Sequence, residues 1–264
     1  MKKLKRHAKL YLAILFATVL AFGTVGVAMA GNLGVEDAGG NEDEIIFGSQ
    51  TKEDGYIGTE MPDAIDENAS ETDYYIESVE QFNNFQAISK TNNFAGLTVH
   101  LAANVSLDEN FVGIGSSEVP FAGTFDGHGY AITKLSSTAN GLFVAVEGAT
   151  IQKLVIGGAK VVASEAASTG ILANVANGAT VDKVIISGSK ITANVAGAMF
   201  GKVTGEVTIT DSTARRVVVS SATAVEFVGA EEGATVTTVN CAVVNSYAKD
   251  ANGEMTFVNC SLLK

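Results

Sequence analysis

A short phrase returns at nearly constant intervals through the second half of the chain. GLFVAVEGATIQKLVI begins at Gly141, GILANVANGATVDKVII at Gly170, GAMFGKVTGEVTIT at Gly197 and VEFVGAEEGATVTTVNC at Val225. Counted from the glycine before each middle strand, namely Gly148, Gly178, Gly205 and Gly233, the intervals are 30, 27 and 28 residues. Such a period marks an array whose single unit cannot bury its own apolar face, so that stacked neighbours make the core. Each unit carries three strand-like pieces, LFVAV, TIQKLVI and KVVAS in the first, separated by GAT-type or GGA-type corners. Helical repeats would need long apolar runs of 3.6 period, and none occurs. Glycine is frequent, at 28 residues, and proline nearly absent, at two. That balance suits stacked strands whose corners need positive φ and whose backbone donors must all be free to pair. The expected fold is all-β, a parallel, right-handed β-helix solenoid with 27–30 residues per coil and neighbouring coils about 4.8 Å apart.

The N-terminal third reads differently. Lys2, Lys3, Lys5, Arg6 and Lys9 precede an apolar run from Tyr11 to about Val27, followed by Ala28-Met29-Ala30. This order of charged, apolar and small segments predicts a secretory signal over residues 1–30, cleaved after the A-x-A site formed by Ala28 and Ala30. The residue directly after the cleavage site is Gly31 and not a cysteine, which argues against a lipid anchor there. Thirteen of the 29 acids fall between Gly31 and Asp73, opposed only by Lys52. This stretch has no sustained period, so residues 31–73 are expected to form an acidic flexible linker. Without the first 30 residues the chain keeps 12 Lys and Arg against 29 acids, a net charge of −17, which argues against nucleic acid as a partner.

The β-helix domain is expected over residues 74–264, opening with a capping helix. Ser78 followed by Gln81 is a capping-box signature, and Phe82, Phe85 and Ile88 share one helical face, which predicts a helix from about Val79 to Lys90. Coils are expected from Leu97 onward. Cys241 and Cys260 recur nineteen residues apart in the phrases TVNC and FVNC, beside Asn240 and Asn259. If those phrases stack in successive coils, the two asparagines can form an amide ladder. The two cysteines then either bond, given Cα atoms within about 4.4–6.8 Å, or remain buried thiols.

The stretch VEQFNNFQAISKTNNFAGLTVHLAANVSL, then IGSSEVPFAGTFDGHGYAITKL, then GLF, resembles bacterial surface proteins built from GLUG-motif repeats. The likeness covers Tyr74 to about Leu263 and is most specific from Phe121 to Ile132. The repeats depart from the motif: Gly141 opens GLFV without a fourth-place glycine, Gly170 opens GILA, and Gly197 opens GAMFG. The resemblance implies an extracellular β-helical stalk or adhesin-like module, located at the bacterial cell surface, and carries no catalytic residues. Within FAGTFDGHG, Phe121, Phe125, Tyr130 and Ile132 are expected to pack inward, with Gly123 between the two phenylalanines. Asp126-Gly127-His128-Gly129 is expected to form a tight turn with glycine at positive φ, braced by the Asp126 side chain.

Chemistry is sparse. A β-helix can carry polysaccharide lyases or glycoside hydrolases for acidic glycans, which need carboxylates and basic groups converging on one face. The candidates, Asp182, Glu206, Asp211 and Glu226 with Lys183, Lys202, Arg215 and Arg216, recur about once per coil, as solvated edges do. Asp211 near Arg215 and Arg216 is the one local pairing among them. His100 reads as a strand residue among apolar neighbours, and His128 as a turn residue with only Asp126 beside it, so neither a metal site nor a cofactor is expected. No GxSxG, HExxH, phosphate-binding loop or EF-hand spacing occurs. Tryptophan is absent, which weakens a deep sugar cleft. The expected function is a non-catalytic surface module engaging a glycan or an extracellular protein. The last coil, ending at Leu262-Leu263-Lys264 with no visible cap, is a further place for self-association or a partner.

Overall fold

The structure is a computed structural model that describes residues 58–66, 70–107, 109–163, 168–221, 223–224, 227–249 and 255–263. The signal segment with Ala28 and Ala30, the spacer before residue 58 and Glu226 lie outside the described residues; of Asn259 and Cys260 only the backbone is described.

The repeating phrase winds into a parallel β-solenoid with three faces. The first face stacks Asp73–Ile76, Thr98–Leu101, Thr124–Asp126, Phe143–Gln152 and Ala173–Asp182. It continues through Phe200–Val203 and Glu206–Thr210 to Val228–Glu231 and Thr235–Val239. The second face stacks Ala131–Thr133, Val155–Gly157, Ile185–Ser187 and Thr213–Arg215. The third stacks Ser136–Ser137, Lys160–Ala163, Lys190–Ala193 and Val218–Ser220. The long strand Cys241–Lys249 then pairs with both Thr213–Arg215 and Val218–Ser220, closing two faces at once.

Register puts like side chains in columns. On the first face Val99, Phe125, Ile151, Val181 and Ile209 are successive Cα partners, and every one is 0% exposed. Their spacings are 26, 26, 30 and 28 residues, so the early coils are shorter than the repeat phrase suggests. Ile132, Ile156, Ile186, Ala214 and Val243 form the column of the second face, and Val161, Ile191 and Val219 that of the third. Alternation gives each strand one inward set and one outward set, as in Lys160–Ala163, where Val161 and Ala163 are buried and Lys160 and Val162 are exposed. Each such aliphatic side chain contributes roughly 1.5–3 kcal/mol on burial, and no single coil could bury its own set.

The glycines mark where the backbone needs room. Gly170 and Gly197 are Cα partners, and a Cβ on Gly141 would stand 2.0 Å from the Gly170 carbonyl oxygen. A Cβ on Gly170 would meet the Met199 carbonyl at 2.1 Å, and on Gly197 the Phe200 carbonyl at 2.1 Å. The glycine that opens each of the first three repeats is thus required by close backbone approach. Gly148 and Gly178 stack at another corner with φ of 62° and 74°, and Gly233 takes φ 60° at the same corner of a later coil. Gly205 sits against Gly178 in the coil between, without a positive φ.

Buried serines tie coils together at the corners. Ser212 Oγ accepts the Val184 N–H of the preceding coil at 3.0 Å and donates to its own Thr210 carbonyl at 2.7 Å. Ser189 and Ser246 do the same for Ala159 and Val217. Each satisfies an amide that would otherwise be buried without a partner.

The helix α1 spans Val79–Ile88, two residues shorter at its C-terminus than the sequence pattern predicts. Ser78 Oγ accepts the Gln81 N–H at 3.2 Å, and Gln81 Oε1 accepts the Glu77 N–H at 2.6 Å. Phe82, Phe85 and Ile88 face the solenoid, and Phe85 lies against Phe94, Phe121 and Phe125 with ring centroids 4.9, 5.9 and 5.9 Å away. The helix thereby plugs the early coils with aromatic side chains. Lys90 Nζ, just beyond it, donates to the Gly113 and Gly115 carbonyls at 2.6 and 2.7 Å.

Two expectations are corrected at the ends. The acidic segment 31–73 is not flexible throughout: Thr59–Glu60 pairs parallel with Tyr74 and Tyr75, and Met61 is buried. A two-residue rung needs backbone pairing and one apolar anchor, which acidic composition hides. At the other end the described residues do not add another stacked coil. Met255–Leu263 runs antiparallel to Cys241–Lys249, with Cys260 opposite Val244 and Cys241 opposite Leu263. The phrases TVNC and FVNC therefore do not stack, which removes the Asn240–Asn259 ladder and makes Met255–Leu263, paired only with Cys241–Lys249, the outermost strand. Asn240 Nδ2 donates to Asp211 Oδ1 at 3.1 Å instead, and Cys241 is a free, buried thiol rather than half of a disulfide. Its Sγ stands at the position of Ser212 one coil later, 3.3 Å from the Val239 carbonyl.

Candidate functional site

The FDGHG stretch is a turn with an unusual occupant. Phe121, Phe125, Tyr130 and Ile132 are all buried. Tyr130 N donates to the Gly127 carbonyl at 2.7 Å, and the two central residues with positive φ are His128 at 46° and Gly129 at 80°. Gly127 serves close approach instead, since a Cβ there would stand 2.5 Å from the Lys153 carbonyl. The positive φ expected of glycine alone is shared with a histidine. His128 is held there because Asp126 Oδ1 accepts its backbone N–H at 2.9 Å.

Stacking then brings the two distant histidines together, a juxtaposition the sequence reading missed. His100 and Asp126 are Cα partners on adjacent rungs of the first face. His100 Nδ1 lies 2.9 Å from His128 Nε2, and the rings stack with centroids 5.1 Å apart at 26°. On the far side His100 Nε2 lies 2.9 Å from Asp73 Oδ1, and Asp126 Oδ1 is 3.7 Å from His128 Nδ1. The result is a row Asp73–His100–His128–Asp126 across three rungs. Side-chain exposure falls from 36% at Asp73 to 15%, 9% and 6% along it.

Burial disfavours protonation of either ring. Burial, then the neighbouring His128, bring His100 down to about 4; Asp126 pulls the other way, and Lys153 adds a smaller lowering. Burial likewise lowers His128, against the attraction of Asp126. With both rings neutral, His100 donates through Nε2–H to Asp73, so its Nδ1 carries the lone pair and accepts His128 Nε2–H. Asp126 Oδ2 is held in turn by Gln152 Nε2 at 2.7 Å and Lys153 Nζ at 3.4 Å. Among the described residues, His100, Asp126 and His128 are the group whose donor atoms lie mutually close enough, within 4.8 Å, to hold a metal ion.

The carboxylates singled out from the sequence take other places. Asp182 continues the same axial row, paired with Lys183 at 2.8 Å and accepting the Thr210 hydroxyl at 2.6 Å. Burial raises the Asp182 carboxyl, but the bonds from Lys183 and Thr210 outweigh it and leave it lowered. Asp211 lies 3.6 Å from Lys183 and accepts from Asn240, while Arg216 donates to Ser187 on another corner. The Asp211–Arg215–Arg216 pairing is thus replaced by an Asp182–Lys183–Asp211 cluster. Glu206 is exposed at the opposite end of its strand, and Lys202 pairs with Glu232 at 2.6 Å. A shallow open groove is lined by Asn92, Asn93, Glu118, Pro120 and Glu147, with no aromatic platform.

The solenoid is the class of fold that these observations define. No protein-family model, curated protein or solved structure matches the chain.

Proposed function

We propose that the chain is a secreted, adhesin-like module of the bacterial cell surface, non-catalytic, that holds a glycan or an extracellular protein on a rigid rod. The observation that carries this reading is the pairing of the candidate carboxylates. Asp182 and Asp211 converge on Lys183, which is held between the two carboxylates as an ion pair, while Glu206 lies at the other end of the face and Lys202 is paired with Glu232. A polysaccharide lyase or hydrolase needs an acid and a base free to act on the substrate, and these groups are engaged with one another. The resemblance of residues 74–263 to GLUG-repeat surface proteins supports the same reading, as does the signal-like segment at residues 1–30. The groove beside Asn92, Asn93 and Glu118 is suited to a shallow polar ligand. The first-face strand Thr235–Val239, with Val239 exposed, is the place for self-association or a protein partner. An array of glycans and matrix proteins probed with the purified chain tests the proposal. Binding without depolymerisation of uronic-acid glycans is the expected result, and turnover of any such glycan would overturn it.

A further inference from the structure

We infer that the facing imidazoles of His100 and His128 form a binding site for a divalent transition-metal cation such as zinc or copper. The argument is geometric. Two imidazole nitrogens that ligate one ion at about 2.0–2.1 Å stand roughly 3.3 Å apart in tetrahedral geometry. His100 Nδ1 and His128 Nε2 already stand 2.9 Å apart, so opening by a few tenths of an ångström admits the ion in place of the shared hydrogen.

Each outer nitrogen looks onto a carboxylate, at hydrogen-bond distance on the His100 side. A metal-bound histidine characteristically gives its other N–H to a carboxylate, which fixes the tautomer and the ring orientation. His100 Nε2 meets Asp73 at 2.9 Å, and His128 Nδ1 faces Asp126 at 3.7 Å. When the ion binds, the His128 proton moves from Nε2 to Nδ1, toward the Asp126 carboxylate, and the freed Nε2 lone pair goes to the metal. No net proton or electron is lost. Water fills the remaining positions. The chemistry of two neutral imidazoles selects zinc, copper or nickel over calcium and magnesium, which prefer oxygen.

The backbone supports the same assignment. His128 is held at φ 46° by Asp126, and His100 sits on a strand rung fixed by pairing on both sides. Both ligands therefore rest on the rigid part of the fold, as a preorganised site needs. This inference is independent of the glycan or protein ligand proposed above.

The test is calorimetric titration of the full, untagged and chelator-treated chain at pH 7.5 with zinc chloride and with copper chloride, using calcium chloride as control. One zinc and one copper per chain at micromolar concentration, with copper tighter, is the expected result. His128→Asn keeps a residue tolerant of positive φ, so the fold persists; the variant should lose at least tenfold in zinc affinity and lose the zinc-induced rise in Tm. Asp73→Asn should weaken zinc by about tenfold, with stoichiometry unchanged. Absence of zinc and copper binding up to millimolar concentration would overturn the inference. So would zinc affinity unchanged in His128→Asn, or calcium binding equal to zinc.

Discussion

His100 Nδ1 stands 2.9 Å from His128 Nε2 although 28 residues of chain separate the two rings. The contact exists because one coil of the solenoid consumes about that many residues, so the Asp126 rung lies directly upon the His100 rung. A row of four side chains, each supported by the next, follows from that stacking.

The row makes stability depend on pH with a definite sign. His100 titrates near 4 in the folded chain and near 6.5 when unfolded, so between those values the unfolded chain binds more protons. Its contribution is therefore complete above about pH 6.5 and is lost as pH falls toward 4. Urea unfolding of the metal-free chain should show a lower midpoint at pH 5 than at pH 7.5. In His100→Gln that difference should shrink, and an undiminished difference would mean that another group controls it.

Glycines of the two kinds should respond differently to alanine. Gly148 has open space around its missing side chain and a φ of 62°, so Gly148→Ala should cost only the left-handed strain, about 1–2 kcal/mol. Gly170 has the Met199 carbonyl where the Cβ would go, so Gly170→Ala must spread two coils and should prevent folding or lower Tm far more. Paired denaturation curves of the two variants check the contrast.

Cys241 should behave as a corner residue. Burial raises its thiol and its Sγ contacts the Val239 carbonyl, so the folded chain should resist alkylation at this position until denaturant is added. Cys241→Ser copies Ser212 of the preceding coil and should change stability by less than about 1 kcal/mol. Rapid labelling of Cys241 in the native chain, read by peptide mass mapping, would contradict its placement.

The helix should be worth more through its rings than through its cap. Phe85→Ala empties the centre of a cluster that includes Phe94, Phe121 and Phe125 and should cost about 3–5 kcal/mol. Ser78→Ala removes the acceptor for the Gln81 N–H and should cost about 1 kcal/mol. Chemical denaturation of both variants measures the ratio.

Periodicity by itself determined the parallel solenoid, the inward columns such as Phe125 and Ile151, and the helix that begins after Ser78, because these follow from local pattern repeated at a fixed interval. The interval also held the clue to the histidine pair, since 28 residues is one coil, but its meaning depends on register. The tertiary structure alone decided that register, and with it the contact between His100 and His128 and the transfer of Asp211 from arginine to Lys183. It also decided the reversal of Met255–Leu263, which a recurring TVNC and FVNC phrase conceals. Side chains one coil apart meet only when the winding length is known to the residue, and each coil here sets its own length, from 24 to 30 residues, through the corners between its strands.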